Sequence, residues 1–209
     1  MFEAKLRSKI GAILSPLARI IVSLGITANM VTMFGLLVNL VAAFCLATDR
    51  LIAAGLLILF GASFDMIDGA VARARTSTNS SGALLDSVID RYSEAVIFLG
   101  ALIYFHHLQN FFGVVLVFAA VIGSILVSYV RAKAEGLQIE CKVGLMQRPE
   151  RIILLALGVI AQGVIPDQYT TILQSKGVIL LGVFAILAVT AHITAIHRLV
   201  FSFHKLSDH

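Results

Sequence analysis

Tryptophan is absent from this chain and charge is scarce: of 209 residues, 13% are charged and 59% are hydrophobic. Soluble domains carry about 25% charged and about 45–50% apolar residues, so a water-soluble globule is excluded. With a mean hydropathy of +0.96 the chain reads as an integral membrane protein, with residues 1–209 forming one domain. Without tryptophan, any belt at the membrane interface must come from Tyr, Phe, Lys and Arg. Cysteine is nearly missing too. Cys45 and Cys141 fit no metal or disulfide spacing and read as free thiols. No internal repeat is visible. No basic and aromatic surface remains outside the apolar runs, which excludes nucleic acid as a partner. The formal charge of +4 suits anionic lipid headgroups or phosphate instead.

Apolar runs long enough for membrane helices, which need roughly 20 residues, lie near 26–47, 51–73, 83–105, 112–134, 150–166 and 177–200. The fold class expected is all-α, with six transmembrane helices forming a bundle over 26–200. The fifth run is short, and its core "IILLALGVIAQGVI" needs the preceding "RPER" turn, where Pro149 and Glu150 suit a helix start. Before the first span, Phe2 to Arg19 reads as an amphipathic helix in the interface, part of an N-terminal stretch 1–20, with Lys5, Arg7 and Lys9 toward headgroups. It has no small-residue cleavage site of a signal peptide. The connections alternate in charge. One set holds only Arg50 and Lys176, whereas the other holds most of the Lys and Arg, from Lys5 through Arg73, Arg131 and Arg148 to Lys205. The positive-inside rule therefore puts both termini and the 74–81 connection in the cytoplasm, in a multi-pass protein of the plasma membrane.

Within this apolar chain, "FDMIDGAVARARTSTNSSGALLDSVIDRYSEA" (64–95) places Asp65 and Asp68 on the second span and Asp86 and Asp90 on the third. Spacings of three and four put each pair on one helical face. A short 74–81 connection predicts that the two helices are antiparallel neighbours, with Asp65 at the depth of Asp90 and Asp68 at that of Asp86. Like charges at close range oppose ionisation, and charge in the apolar layer is costly. Three compensations follow: protonation, pairing with Arg73, Arg75 and Arg91, or bound cations. Protonation would waste the constellation, and Arg73 and Arg75 lie beyond the carboxylates. Hard divalent ions take oxygen ligands, and Mg²⁺ commonly sits between carboxylates and substrate phosphates. A pair of such ions is a recurring phosphoryl-transfer device. Gly69, Ala72, Gly82 and Ala83 keep the two faces clear for a bulky diphosphate, and Arg73 offers a planar fork for its oxygens. Glu94 extends the Asp86–Asp90 stripe by one turn and reads as structural.

The pattern Asp-x2-Asp-Gly-x2-Ala-Arg-x8-Gly-x3-Asp-x3-Asp, here Asp65, Asp68, Gly69, Ala72, Arg73, Gly82, Asp86 and Asp90, resembles the signature of the CDP-alcohol phosphotransferases without departure. The resemblance implies an enzyme of phospholipid biosynthesis. In that reaction an alcohol attacks the β-phosphorus of a CDP-linked lipid, CDP-diacylglycerol or CDP-archaeol, and CMP leaves. It implies two metal ions, Mg²⁺ with Mn²⁺ as the alternative, held by Asp65, Asp68, Asp86 and Asp90, with Asp90 as the catalytic general base. It also implies a homodimer. The segment "SYVRAKAEGLQIECKVGLMQRPER" (128–151) resembles the subgroup that makes phosphatidylinositol phosphate or its archaeal counterpart. By that likeness Arg131, Arg151 and Arg198 cradle the phosphate of an inositol phosphate acceptor, with Lys133 and Arg148 sharing the role; Arg131 stands where the subgroup often has lysine. "LGITANMVT" (24–32) is similar to the donor-side segment, which makes Thr27, Asn29 and Thr32 expected contacts of the CDP-lipid; Ala28 replaces the usual proline, and Asn29 also suits a helix cap.

Three rivals share these features. Glycerol 3-phosphate as acceptor would give phosphatidylglycerol phosphate by the same chemistry. A divalent-cation transporter also needs carboxylates in the membrane, but such sites favour the midplane between repeated halves. A non-catalytic scaffold has no use for glycines and an arginine in register with four aspartates.

Overall fold

The computed structural model describes residue 16 and residues 18–74, 80–165 and 177–207. Among them six long helices follow in order: α1 (Ala28–Ala47), α2 (Leu51–Ala74), α3 (Ser80–His107), α4 (Phe111–Gly136), α5 (Arg148–Val164) and α6 (Val178–Ser207). Each begins and ends within a few residues of the apolar run that predicts it, except that α6 continues past residue 200. The expected interfacial helix lies almost wholly outside the described residues, Lys5, Arg7 and Lys9 included. Residues 18–23 are helical.

Local chemistry sets the boundaries. Thr27 is extended, and its hydroxyl oxygen accepts from the Met30 amide at 3.3 Å, so the cap of α1 is Thr27 rather than Asn29. Three-residue turns join α1 to α2 and α3 to α4. Asp49 (φ 62°) and Gln109 (φ 54°) each take a left-handed conformation there to reverse the chain. Asn110 caps α4 by accepting from the Gly113 amide at 2.9 Å. At the start of α5 the Glu150 carboxylate accepts from the Gln147 amide at 2.6 Å, with Pro149 in the first turn.

α1, α2, α4 and α6 are long and apolar enough to cross a membrane. α3 matches them in length but carries Asp86, Asp90, Arg91 and Glu94, and α5 has 17 residues. The protein is an all-α membrane protein. Its outward faces carry apolar side chains such as Phe44, Leu56, Phe60, Phe111, Phe118 and Val189, all exposed to what would be lipid. The inner core joins Leu46, Ile58, Ile97, Phe105, Leu155 and Leu180, with Phe184 edge-on to Phe98 at 5.7 Å and to Phe105 at 6.1 Å.

The packing order corrects one expectation. α1 packs against both α2 and α3, α2 against α5, α3 against α4, and α4 and α5 against α6. The two aspartate helices are antiparallel but hardly touch. α1 wedges between them, so their acidic faces look across a gap instead of interlocking. The helices pack closely because glycine lets backbones approach. A Cβ on Gly100 of α3 would lie 2.6 Å from the Ala43 carbonyl oxygen of α1, and one on Gly55 of α2 would lie 2.8 Å from the Ala156 carbonyl oxygen of α5. Replacing Gly100 by valine must push α1 off α3. The expected cost is about 1–3 kcal/mol, typical of overpacking. It is read as a lowered Tm of the purified protein in detergent, with Gly182→Val, which meets nothing within 4 Å, as the tolerated control.

Candidate active site

Of the four aspartates, Asp65 and Asp90 meet. Nη1 of Arg148, the first residue of α5, donates to Asp65 Oδ2 at 2.7 Å and stands 2.8 Å from Asp90 Oδ2. Nη2 reaches the Asp90 carbonyl oxygen at 3.4 Å. Arg91 adds a looser contact to Asp90 at 3.7 Å. One level nearer the 74–81 connection, Asp68 is buried and accepts from the Thr32 hydroxyl at 2.9 Å, which ties α1 to the floor of the gap. Asp86 is half-buried and forms no ion pair with a described residue.

The arginine that compensates Asp65 comes from 83 residues away in sequence. Arg73 makes no ion pair with a described residue, and Arg75 lies outside them. Arg148 carries no local signal for this role, because its meeting with the aspartates depends on α5 docking against α2.

Two glycines here differ from those that pack helices. A Cβ on Gly69 would meet only the tip of Arg73, at 3.4 Å, and one on Gly82 only the Asn29 amide oxygen, at 3.4 Å. Neither is needed for backbone approach, so the space that they leave is open within the gap. Ala72 is half-buried, and Arg73 and Asn29 are exposed at its edge. Thr27, expected at the donor, is occupied in capping α1.

As the side chains stand, no three His, Cys, Asp or Glu residues among those described converge on one point. The donor set nevertheless fits hard divalent cations: all four groups are carboxylates, and Asp65 and Asp90 already hold one cationic nitrogen between them. The guanidinium stands in for an ion at that point.

Beside Asp90 opens a cavity of about 710 Å³, whose lining includes Asp90, Arg91, Tyr92, Tyr129, Arg131 and Arg148. Arg131 is half-exposed and pairs with Glu135 at 2.8 Å. Lys133 is exposed on the same helix. Of the five residues expected at an acceptor phosphate, Arg131 and Arg148 therefore reach the cavity. The other two arginines are buried and bound to protein groups. Arg151 donates to both oxygens of Glu94, at 3.0 and 3.2 Å, and to Ser124 at 3.0 Å. Arg198 donates to the Val143 and Val127 carbonyl oxygens, each at 2.8 Å, holding the 137–147 segment onto α4 and α6. The aromatic wall of Tyr92 and Tyr129 was not anticipated. Tyr92 follows Asp90 by two and Tyr129 precedes Arg131 by two, positions that sequence reading had no reason to join.

Glu94 and Arg151 are both nearly fully buried, with side-chain exposures of 7% and 3%. Removing one partner leaves the other charge stranded in the apolar interior, at a cost of about 3–5 kcal/mol. Glu94→Leu is expected to lower the Tm sharply. The double substitution Glu94→Leu with Arg151→Met should recover most of that loss, since it removes both charges together.

The CDP-alcohol phosphatidyltransferase family profile matches residues 25–204. The archaetidylinositol phosphate synthase of Methanothermobacter thermautotrophicus is 31% identical over 183 residues, 88% of this chain and 86% of the relative. The phosphatidylinositol phosphate synthase of Mycobacteroides abscessus is 35% identical over 164 residues, 75% of this chain and 72% of the relative. In three dimensions the chain superposes on the Mycobacterium tuberculosis phosphatidylinositol phosphate synthase crystallised with CDP-DAG, with a TM-score of 0.81 and 28% identity, over 92% of this chain and 94% of the other. The same enzyme in complex with manganese and citrate gives a TM-score of 0.79 at 27% identity, over 91% and 88% of the two chains. Four aspartates in the signature spacing and a match over residues 25–204 together make this chain a member of the CDP-alcohol phosphatidyltransferase family, an enzyme of phospholipid biosynthesis.

Proposed function

We propose that the protein transfers the phosphatidyl or archaetidyl group of a CDP-linked lipid to inositol phosphate and releases CMP. The observation that carries this reading is the joint position of Asp65 and Asp90 on one cation, at the rim of a cavity that also presents Arg91 and Arg131. The relatives named for inositol phosphate products, and the one crystallised with CDP-DAG, support the choice of acceptor and donor.

In this reading Asp65, Asp68, Asp86 and Asp90 hold two divalent ions, Mg²⁺ or the Mn²⁺ found with the mycobacterial relative. Such ions, when bound, would neutralise the diphosphate and polarise its phosphorus–oxygen bonds. The chain's own groups do the rest. Gly69 and Gly82 leave room for the diphosphate between α2 and α3, and Arg73, with Ala72 beside it, presents its guanidinium at the edge. Thr32 holds Asp68 in orientation, and Asn29 faces the same opening. Asp90, at the boundary between gap and cavity, takes the proton of the acceptor hydroxyl. Arg131, Arg148 and Lys133 attract the acceptor phosphate, while Arg151 and Arg198 keep the walls in register. The whole chain serves as one catalytic domain whose six helices all cross the bilayer. The cavity and both termini face the cytoplasm, and two copies assemble as a homodimer.

Purified protein given CDP-diacylglycerol should release CMP with inositol phosphate and not with glycerol 3-phosphate, and chelation of divalent ions should stop release. Turnover with glycerol 3-phosphate alone overturns the acceptor. Cation flux into liposomes without CMP release would favour transport. Asp90→Asn should lower turnover by about 10²–10⁴-fold, the usual worth of a general base, while CDP-lipid binding survives.

A further inference from the structure

Two ion pairs sit three residues apart at the start of α5, and they differ in kind. Arg151 and Glu94 form a two-pronged pair joined by Ser124 and almost closed to solvent, although Nη1 of Arg151 is buried without a partner among the described residues. Arg148 is less settled. A single nitrogen is shared by two carboxylates on different helices, where Arg151 meets one carboxylate with two nitrogens. Side-chain exposures of 20% for Arg148, 33% for Asp65 and 16% for Asp90 leave the pair within reach of solvent. One guanidinium also cannot balance four aspartates, even with Arg91 beside it, so the cluster retains an appetite for positive charge. The α5 cap holds the Arg148 backbone still, while its long side chain lies on the wall of the 710 Å³ cavity.

We infer that Arg148 is the exchangeable counter-ion of the aspartate cluster: it bridges Asp65 and Asp90 until divalent cations take their oxygens, and the freed guanidinium then serves the cavity as an anion-binding group. The inference rests on the reading that these aspartates bind divalent ions. A doubly charged ion and a guanidinium compete for the same two oxygen atoms, so metal binding must displace the arginine. Once displaced, the arginine has the cavity beside it, where Arg91 adds positive charge and Arg131 stands paired with Glu135. An anion that captures the freed side chain removes the competitor. Anion and metal therefore strengthen each other's binding by the same factor, as linkage requires. Arg148 thereby makes the acceptor pocket most attractive to phosphate after the metal site has filled.

The test is Mn²⁺ titration of the full-length protein in lipid nanodiscs without substrate, following free Mn²⁺ by electron paramagnetic resonance. Arg148→Gln, checked for unchanged helix content and Tm, should bind Mn²⁺ about tenfold more tightly than the wild type, within the usual range of coupling factors. Arg148→Lys, which keeps the charge on a single nitrogen, should fall between them. Millimolar sulfate should tighten Mn²⁺ binding to the wild type and leave Arg148→Gln unchanged. Equal or weaker Mn²⁺ binding by a folded Arg148→Gln overturns the inference and spares the metal reading. Absence of Mn²⁺ binding in both proteins overturns both. If Arg148→Gln does not fold, the sulfate arm on the wild type decides alone: tightening supports the exchange, and no change refutes it.

Discussion

Negative charge inside an apolar layer must be met by positive charge at short range, and the architecture of this protein follows from how that demand is satisfied. Five carboxylates, Asp65, Asp68, Asp86, Asp90 and Glu94, occupy helices whose other faces are made for lipid. Glu94 is answered by Arg151, in a two-pronged pair almost wholly shut off from solvent. Asp65 and Asp90 are answered by Arg148 in a pair that remains accessible. Asp68 receives a hydroxyl from Thr32. The first arrangement fastens α3 to α5. The others leave unspent negative charge facing open space, which is the condition for binding cations and, through them, a diphosphate.

The open space is a packing outcome. Had α2 and α3 interlocked, their acidic faces would have closed on each other. α1 prevents that by packing into both, and the glycines divide the labour between them. Gly100 and Gly55 vanish into helix contacts, where a side chain would strike backbone. Gly69 and Gly82 have almost nothing opposite them, so their missing side chains create room at the level of the aspartates. Arg198, tied to the carbonyl oxygens of Val127 and Val143, fixes the 137–147 segment and so positions the start of α5 from which Arg148 and Arg151 project.

The helices were legible because an apolar run of membrane length has few alternatives, and because Pro149 and Glu150 mark the start of α5; the caps at Thr27 and Asn110 emerged only in the structure. The aspartate stripe was legible because helical spacing alone puts Asp65 with Asp68 and Asp86 with Asp90. The likeness to a known signature pointed to the family, which the match over residues 25–204 then established. Arg148 as the partner of Asp65 was not legible. Nor was the division of five basic residues into two that reach the cavity, one exposed beside it, and two sealed within the protein. Arg131, Arg151 and Arg198 look alike as isolated cations between apolar runs; only their neighbours distinguish them.

By itself the sequence determined a membrane-embedded helical chain, the helical face on which each carboxylate stands, and the small residues kept beside them, since these depend on composition and on a 3.6-residue repeat. Tertiary structure decided which helices touch, that the two acidic helices stand apart, and which arginine answers which acid. Those outcomes depend on contacts between residues tens of positions apart, and no local periodicity encodes a distance of that kind.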